Sequence, residues 1–284
     1  MQLANNLVQL LRSFLTEPGE SLKALRSLPV TLDAMRLARD WPAASGGQST
    51  SPQAVPLPDL GEQNPLWKFF EARKAGRGIW KWTHYFDVYH QHLKKFAGQE
   101  VHIVEIGIYS GGSLEMWREF LGPKCKIYGV DIAPECRSYE GNGTKVYIGD
   151  QADREFWKRF RAEVPRVDVV IDDGGHAPFQ QIATLEELLP HLNPGGVFIC
   201  EDIHGRHNRF ASYIGGLIDS LNQGNPRMQP DLSQDASAFQ SWIKSIHHYP
   251  FITAIEKRER PVRGLIAPRH GTEWQPFLEK DLPR

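Results

Sequence analysis

From residue 101 onward the apolar positions fall into short runs rich in Val and Ile: VHIVEIG (101–107), KIYGVDI (126–132), KVYIGD (145–150), VDVVIDD (167–173) and GVFICED (196–202). The runs are apolar without strict alternation, the pattern of strands covered on both faces. Between them lie stretches with helical patterning: SLEMWREFLG (113–122), QADREFWKRFRAEV (151–164) and PFQQIATLEELLPHL (178–192). Strands alternating with helices of roughly ten or more residues predict a parallel sheet with right-handed crossovers. Pro178 stands where a helix begins, and Gly122 and the Gly195–Gly196 pair stand after helices end, so the boundaries agree. Near the C-terminus, ITAIEKRE (252–259) and RGLIAP (263–268), separated by RPV, predict an antiparallel closing pair. SIHHYPF (245–251) reads as a lead into the late strand, with no role for His247 or His248.

Upstream, IWKWTHYFDVYHQHLKKF (79–96) places Trp82, Tyr85, Phe86, Tyr89, Leu93 and Phe96 on one helical face. Core packing is the stronger reading of that stripe. The first 40 residues predict two helices broken at EPGES, with Leu3, Leu7, Leu10, Leu11 and Phe14 at helical spacing in a folded helix rather than a signal peptide. Residues 40–65 are rich in Pro, Gly, Ser and Gln and predict a long loop. The expected organisation is a helical N-terminal region over 1–78 and a sheet-bearing domain over 79–284.

The 284 residues are 40% hydrophobic and 24% charged, ordinary for a globular protein with a sizeable core. Lys and Arg number 33 against 34 Asp and Glu, a net charge of -1, which argues against a general nucleic-acid binder. Cys125, Cys136 and Cys200 lack metal-type spacing, and their odd number argues against a disulfide framework, so a reducing cytoplasm is expected. No stretch approaches the roughly 20 apolar residues of a membrane helix, so no membrane association is expected.

The chemistry concentrates where the runs end. The first closes in E-x-G-x-x-x-G-G-S, from Glu105 to Ser113. Gly107, Gly111 and Gly112 let backbone approach a ligand, and a helix N-terminus follows near Ser113. The spacing is not G-x-G-x-x-G, which argues against nicotinamide. Asp131 ends the second run, where an acid accepts hydrogen bonds from ribose hydroxyls, and Asp150 ends the third, near where an adenine edge would lie. Singly, each is more often a turn or helix cap; three in successive strand contexts reverse those odds. Two further runs end in paired acids, VVIDDGGHAPF (169–179) and VFICEDIH (197–204).

The segments EIGIYSGGSLEMW, YGVDI, IDDGGH and EDIH are similar to the metal-dependent sugar O-methyltransferases of macrolide antibiotic pathways, the macrocin and mycinamicin type, within the class I S-adenosylmethionine-dependent methyltransferases. Related sequences also carry a cephalosporin hydroxylase label. The resemblance covers roughly residues 79–266. It implies an α/β fold, a Rossmann-like, mostly parallel seven-stranded sheet with helices on both faces and a helical N-terminal extension. It implies S-adenosylmethionine as cofactor, bound by Glu105, Gly107, Tyr109, Ser110, Gly111, Ser113, Asp131, Asp150, Gln151 and Asp172, with Lys81, His84 and Tyr85 over it.

Asp173, Glu201 and Asp202 would converge at adjacent strand ends, where three carboxylates without a cation would repel one another. A hard divalent cation relieves this, and the all-oxygen set suits Mg²⁺ better than zinc. Successive strand residues face opposite sides, so Asp172 and Asp173 cannot both enter the pocket. Asp173 is assigned to the metal because it has the family's D-x-x-H spacing to His176, leaving Asp172 to support the cofactor side or the ligands from behind. His176, aimed by Gly174–Gly175, is the candidate general base, with Asp173 as its catalytic partner. His204, Arg206, His207 and Arg209 form either a solvated basic loop or a contact to substrate oxygens or phosphate.

The expected function is methyl transfer from S-adenosylmethionine to a sugar hydroxyl of a natural product or its glycosyl precursor. The alternatives are a catechol-like acceptor or a non-catalytic nucleotide-binding α/β protein. An iron oxygenase would need two histidines and a carboxylate with open positions, and no convincing set is evident. A homo-oligomer is expected, with residues 1–78 capping the pocket, pairing with a neighbouring subunit, or both.

Overall fold

The computed structural model describes residues 8, 11–44, 64–205, 207–224, 232–268 and 270–271. The chain divides into two units, Met1–Pro58 and Asp59–Arg284. In the first, residues 11–16 and α1 (Pro18–Ala44) are helical, with the break at Glu17 expected from EPGES. The helix continues to Ala44, into the stretch expected to be loop. Leu3, Leu7, Leu10 and residues 45–63 of that loop lie outside the described residues.

The second unit is built on a seven-stranded sheet. In chain order it contains α2 (Pro65–Ala72), α3 (Tyr85–Leu93), β1 (His102–Ile106), α4 (Gly112–Leu121), β2 (Lys126–Asp131), β3 (Thr144–Ile148), α5 (Arg154–Glu163), β4 (Val167–Asp172), α6 (Pro178–Leu188) and β5 (Leu192–Cys200). Then follow α7 (Arg209–Leu221), β6 (Leu232–Asp235), α8 (Ala238–Trp242), β7 (Ile243–Tyr249), β8 (Ile252–Lys257) and β9 (Gly264–Ala267). The strand order is β3-β2-β1-β4-β5-β8-β7. The first five strands pair in parallel, and β8 pairs antiparallel with both β5 and β7.

The strands read as continuous apolar runs because helices cover both faces. Ile103 of β1 and Val169 and Ile171 of β4 pack with Tyr85, Phe86, Tyr89 and Trp117. Their neighbours Val104, Ile106 and Val170 pack on the other face with Trp157, Phe160, Leu185 and Phe210. The side-chain period of two sends alternate residues to opposite cores, and burying each large side chain contributes about 1.5–3 kcal/mol. Of the aromatic stripe over 79–96, Tyr85, Phe86, Tyr89 and Leu93 are core as expected and Phe96 packs against them, but Trp82 is half-exposed and precedes the helix, which is shorter, Tyr85–Leu93.

The closing pair differs from the sequence expectation. β8 pairs with β7, and β9 leaves the sheet to pair with β6 in a separate two-stranded ribbon. Pro250–Phe251 forms a two-residue connection with Phe251 at φ +63, so SIHHY is itself a strand of a tight hairpin rather than a lead-in.

Candidate active site

Strand register assembles the site. β1 and β4 align Ile106 with Asp172, and β4 and β5 align Asp172 with Cys200. The next residues, Gly107, Asp173 and Glu201, therefore emerge together at the carboxyl edge, where strand order reverses between β1 and β4. The ladder continues one step further: Asp173 N donates to Ile106 O at 3.0 Å and Glu201 N to Asp172 O at 2.9 Å. Gly107 is at φ +81, and a Cβ there would lie 2.0 Å from the Asp173 carbonyl oxygen, so two strand tips touch through a residue that must be glycine.

Beside this edge lies a cavity of about 420 Å³. Ile79, Ile108, Val130 and Ile132 supply apolar walls, and the N-terminus of α4 opens beside them. That helix has Gly111 as N-cap at φ +74 with no side-chain cap, so its first amides are free for a ligand. Of the residues expected to hold the cofactor, Gly107, Tyr109, Ser110, Ser113, Asp131, Asp150 and Gln151 line the cavity. Glu105, Gly111 and Asp172 are not among its lining residues. Glu105 lies fully buried beneath the loop, accepting from Ser113 Oγ at 2.9 Å; burial pushes its carboxyl up to about 7, with Lys81 and Ser113 opposing. Asp172 faces the opposite core, where Gln151 Nε2 donates to it at 3.0 Å. Burial pushes it, too, up to about 7. Gln151 Oε1 in turn accepts from Gly175 N at 2.6 Å, so Asp172 shapes the D-D-G-G-H turn from behind. Asp131 accepts from the backbone N–H groups of Tyr109 and Ala133, and Asp150 from that of Ala152, so both serve as turn caps as well as cavity walls.

The paired acids divide between two neighbouring clusters. Asp173, His176 and Asp202 each offer a ligand atom within 4.8 Å of the others. His176 Nε2 lies 3.6 Å from Asp202 Oδ2, and His204 Nε2 lies 3.4 Å from Asp202 Oδ1. Glu201 turns the other way: Tyr89 Oη donates to its Oε1 at 2.6 Å and Lys81 Nζ to its Oε2 at 3.0 Å. Lys81 Nζ also reaches Asp173 Oδ2 at 2.5 Å. Burial works against the Lys81 charge, but Asp173, Glu201 and Glu105 outweigh it and raise its pKa. Burial and Asp173 push the Glu201 carboxyl well up, opposed by Lys81 and Tyr89. Tyr109, His176, Asp202 and Phe251 hold positive φ without being glycine, a concentration of strain typical of functional sites.

Sequence reasoning read Tyr85 and Tyr89 as core packing, with Tyr85 also over the cofactor, and gave neither a contact with the acids; Tyr85 is not among the residues lining the cavity. One turn apart on α3, the two tyrosines bury their rings and aim their hydroxyls at acids: Tyr85 Oη donates to Asp202 Oδ1 at 2.9 Å, as does Trp82 Nε1 at 3.0 Å. The usable signal was the choice of Tyr over Phe, since a buried hydroxyl needs a partner. In the basic loop, His204 joins Asp202, Arg209 opens α7, His207 stands at φ +61, and Arg206 lies outside the described residues.

Two histidines and a carboxylate do gather elsewhere: His92, His247 and Glu256. Their polar atoms are already engaged. His92 Nδ1 donates to Glu256 at 2.6 Å, its Nε2 lies 3.0 Å from Tyr249 Oη, His247 Nε2 lies 2.9 Å from Ser245 Oγ, and Lys244 Nζ donates to Glu256 at 2.9 Å. This network ties α3 to the β7–β8 hairpin. Burial raises the Glu256 carboxyl, but Lys244 and His92 outweigh it and bring it from 4.5 to about 2. Its stabilisation is therefore present above pH 4.5 and is lost as pH falls toward 2. Glu256→Gln is expected to lower the Tm by about 2–4 °C at pH 7. The difference should narrow at pH 3; an equal difference at both values would show that the carboxylate charge is not what matters.

A methyltransferase domain model matches residues 104–203, from β1 through the second acidic strand end. Residues 104–203 thus carry a methyltransferase domain. Curated relatives agree: demethylmacrocin O-methyltransferase of Streptomyces fradiae is 35% identical over 70% of this chain and 53% of its own length. Mycinamicin VI 2''-O-methyltransferase of Micromonospora griseorubida is 34% identical over 51% of this chain and 36% of its own. A solved MycE methyltransferase of the mycinamycin biosynthetic pathway, in complex with Mg, SAH and mycinamycin VI, matches with a TM-score of 0.56 and 26% identity over 69% of this chain and 53% of that one. The chain thus spans about half the length, or less, of these relatives. The matched methyltransferase domain contains the glycine-rich loop, both acidic pairs and His176. Among the described residues no helix is long and apolar enough to cross a membrane, and the three cysteines are free and buried.

Proposed function

We propose that this chain transfers the methyl group of S-adenosylmethionine to a sugar hydroxyl of a glycosylated natural product or its precursor, using a hard divalent cation such as Mg²⁺, in a reducing cytoplasm. The observation that carries this reading is the meeting of Asp173, His176 and Asp202 within 4.8 Å at the rim of the glycine-walled cavity. Two carboxylates with a third adjacent form an oxygen donor set that a hard cation accepts, with the imidazole of His176 beside it. Asp173 and Asp202, joined by Glu201, would hold it; when bound, such a cation templates neighbouring hydroxyls and lowers their pKa.

The chain's own residues account for the rest. The uncapped start of α4, Asp131 and Asp150 suit the polar groups of a nucleoside-bearing cofactor, and the isoleucine walls suit its apolar surface. His176, with its side chain 40% exposed at the cavity rim, is placed to take a proton from an incoming hydroxyl. The Gly174–Gly175 pair lets the chain bring that imidazole to φ +55 beside Asp202. Around Asp202, the rings of Trp82, Phe251 and His204 lie with centroids 4.7 to 6.2 Å apart. This half-exposed aromatic surface, with polar edges, supports a sugar ring as acceptor.

The test is methyl incorporation from labelled S-adenosylmethionine into a panel of glycosylated polyketides, nucleotide sugars and catechols. Incorporation into a sugar hydroxyl, abolished by EDTA and restored by Mg²⁺, is expected. Incorporation into phenols alone would reject the sugar acceptor, and undiminished turnover in excess EDTA would remove the metal.

A further inference from the structure

Lys81 sits where the acid cluster most needs a positive charge. Its side chain is 3% exposed, and Nζ lies 2.5 Å from Asp173 Oδ2, 3.0 and 3.2 Å from the two Glu201 oxygens and 3.9 Å from Glu105 Oε1. Both oxygens of Glu201 are occupied in this arrangement, Oε1 also by the hydroxyl of Tyr89. Tyr89 is locked in the α3 core at 0% exposure and cannot withdraw. Lys81 can: it belongs to an irregular segment before α3 and reaches the acids on a flexible four-carbon stem.

We propose that the Lys81 ammonium and a divalent cation are alternative occupants of the Asp173–Glu201 carboxylate pair, so that metal entry expels Lys81 from its seat. This rests on the metal-dependent reading above. While Lys81 bridges both Glu201 oxygens and holds Asp173, an entering cation would have to share these oxygens with the ammonium, and two positive groups sharing one poorly hydrated acid pair repel strongly. Lys81 also borders the cofactor cavity, which gives the displaced ammonium a way out. Before metal arrives, the tethered cation neutralises the buried acids, so the fold does not depend on the ion. Lys81 is thus a positioning residue that sets metal affinity rather than a group that touches the reacting atoms.

Mn²⁺ serves as the probe, titrated into the full chain by calorimetry and electron paramagnetic resonance without cofactor. Lys81→Gln is expected to tighten Mn²⁺ binding tenfold or more; tightening of less than threefold, or weakening, overturns the proposal. If wild type binds no Mn²⁺ but the variant does, the metal reading fails for the native chain while the displacement stands. If neither binds, both fall. A wild-type measurement guards against a variant that does not fold. Brief acetylation mapped by mass spectrometry should modify Lys81 at least fivefold faster with saturating Mn²⁺ than in EDTA, and an increase of less than twofold, or a decrease, overturns displacement.

Discussion

Asp173→Ala is expected to lower kcat/KM for methyl transfer by at least about 10³-fold, a loss on the order of 4 kcal/mol of transition-state stabilisation. S-adenosylhomocysteine affinity should stay within about threefold of wild type, because most acids and glycines proposed to hold the cofactor stand at or just past the ends of β1, β2 and β3 and at the start of α4, while Asp173 borders the same cavity from the end of β4. The side chain stands at the junction of both clusters: it receives Lys81 Nζ at 2.5 Å and lies within 4.8 Å of His176 and Asp202 ligand atoms. Removing it takes a carboxylate from the proposed cation site and a partner from the buried lysine together. Steady-state kinetics with parallel calorimetry checks this. A variant retaining more than about a tenth of wild-type activity would show that Asp173 is not part of the chemistry.

Gly107→Ala should cost both the fold and the cofactor. A methyl group at that position would lie 2.0 Å from the Asp173 carbonyl oxygen and 2.8 Å from Gly174 Cα, and the residue holds φ +81. These neighbours are backbone, so no side chain can turn aside; β1 and β4 would have to separate at their tips. Positive φ for alanine and the separation together are expected to cost about 3 kcal/mol or more. Thermal unfolding should show a Tm lower by about 6 °C or more, and S-adenosylhomocysteine should no longer stabilise the protein. A variant with wild-type Tm and undiminished stabilisation by S-adenosylhomocysteine would mean that the strand tips do not meet through this glycine. Gly107 and Asp173 thus test one structural joint from its two sides, one by geometry and one by charge.

The orientation of the acidic pair in β4 shows how far sequence reasoning reaches. Period-two alternation requires Asp172 and Asp173 to face opposite ways, and they do: Asp172 enters the far core and binds Gln151, while Asp173 faces the cavity. Alternation does not say which acid goes where; here the choice came from spacing to His176. The Asp202 side chain meets His176 and His204 only because Asp202 adopts φ +55 past the end of β5, a conformation no apolar pattern signals. The C-terminal strands show the opposite limit. RGLIAP reads as a strand and is one, but its partner is β6, and local pattern carries no partner information.

What the sequence determined by itself is the set of strand-forming runs, the glycines at the first strand end and the acids that close the later runs. Each depends on neighbours a few residues away, through side-chain period, backbone freedom and helix boundaries. What only the tertiary structure decided is how those acids are shared: Glu201 goes to Lys81 and Tyr89, 120 and 112 residues away, and Asp202 goes to Tyr85, 117 residues away. Those bonds exist because α3 packs across the sheet and brings hydroxyls and an ammonium over the strand tips. A buried charge takes whatever partner the packing delivers, and that partner is fixed by the assembled layers, not by the local chain.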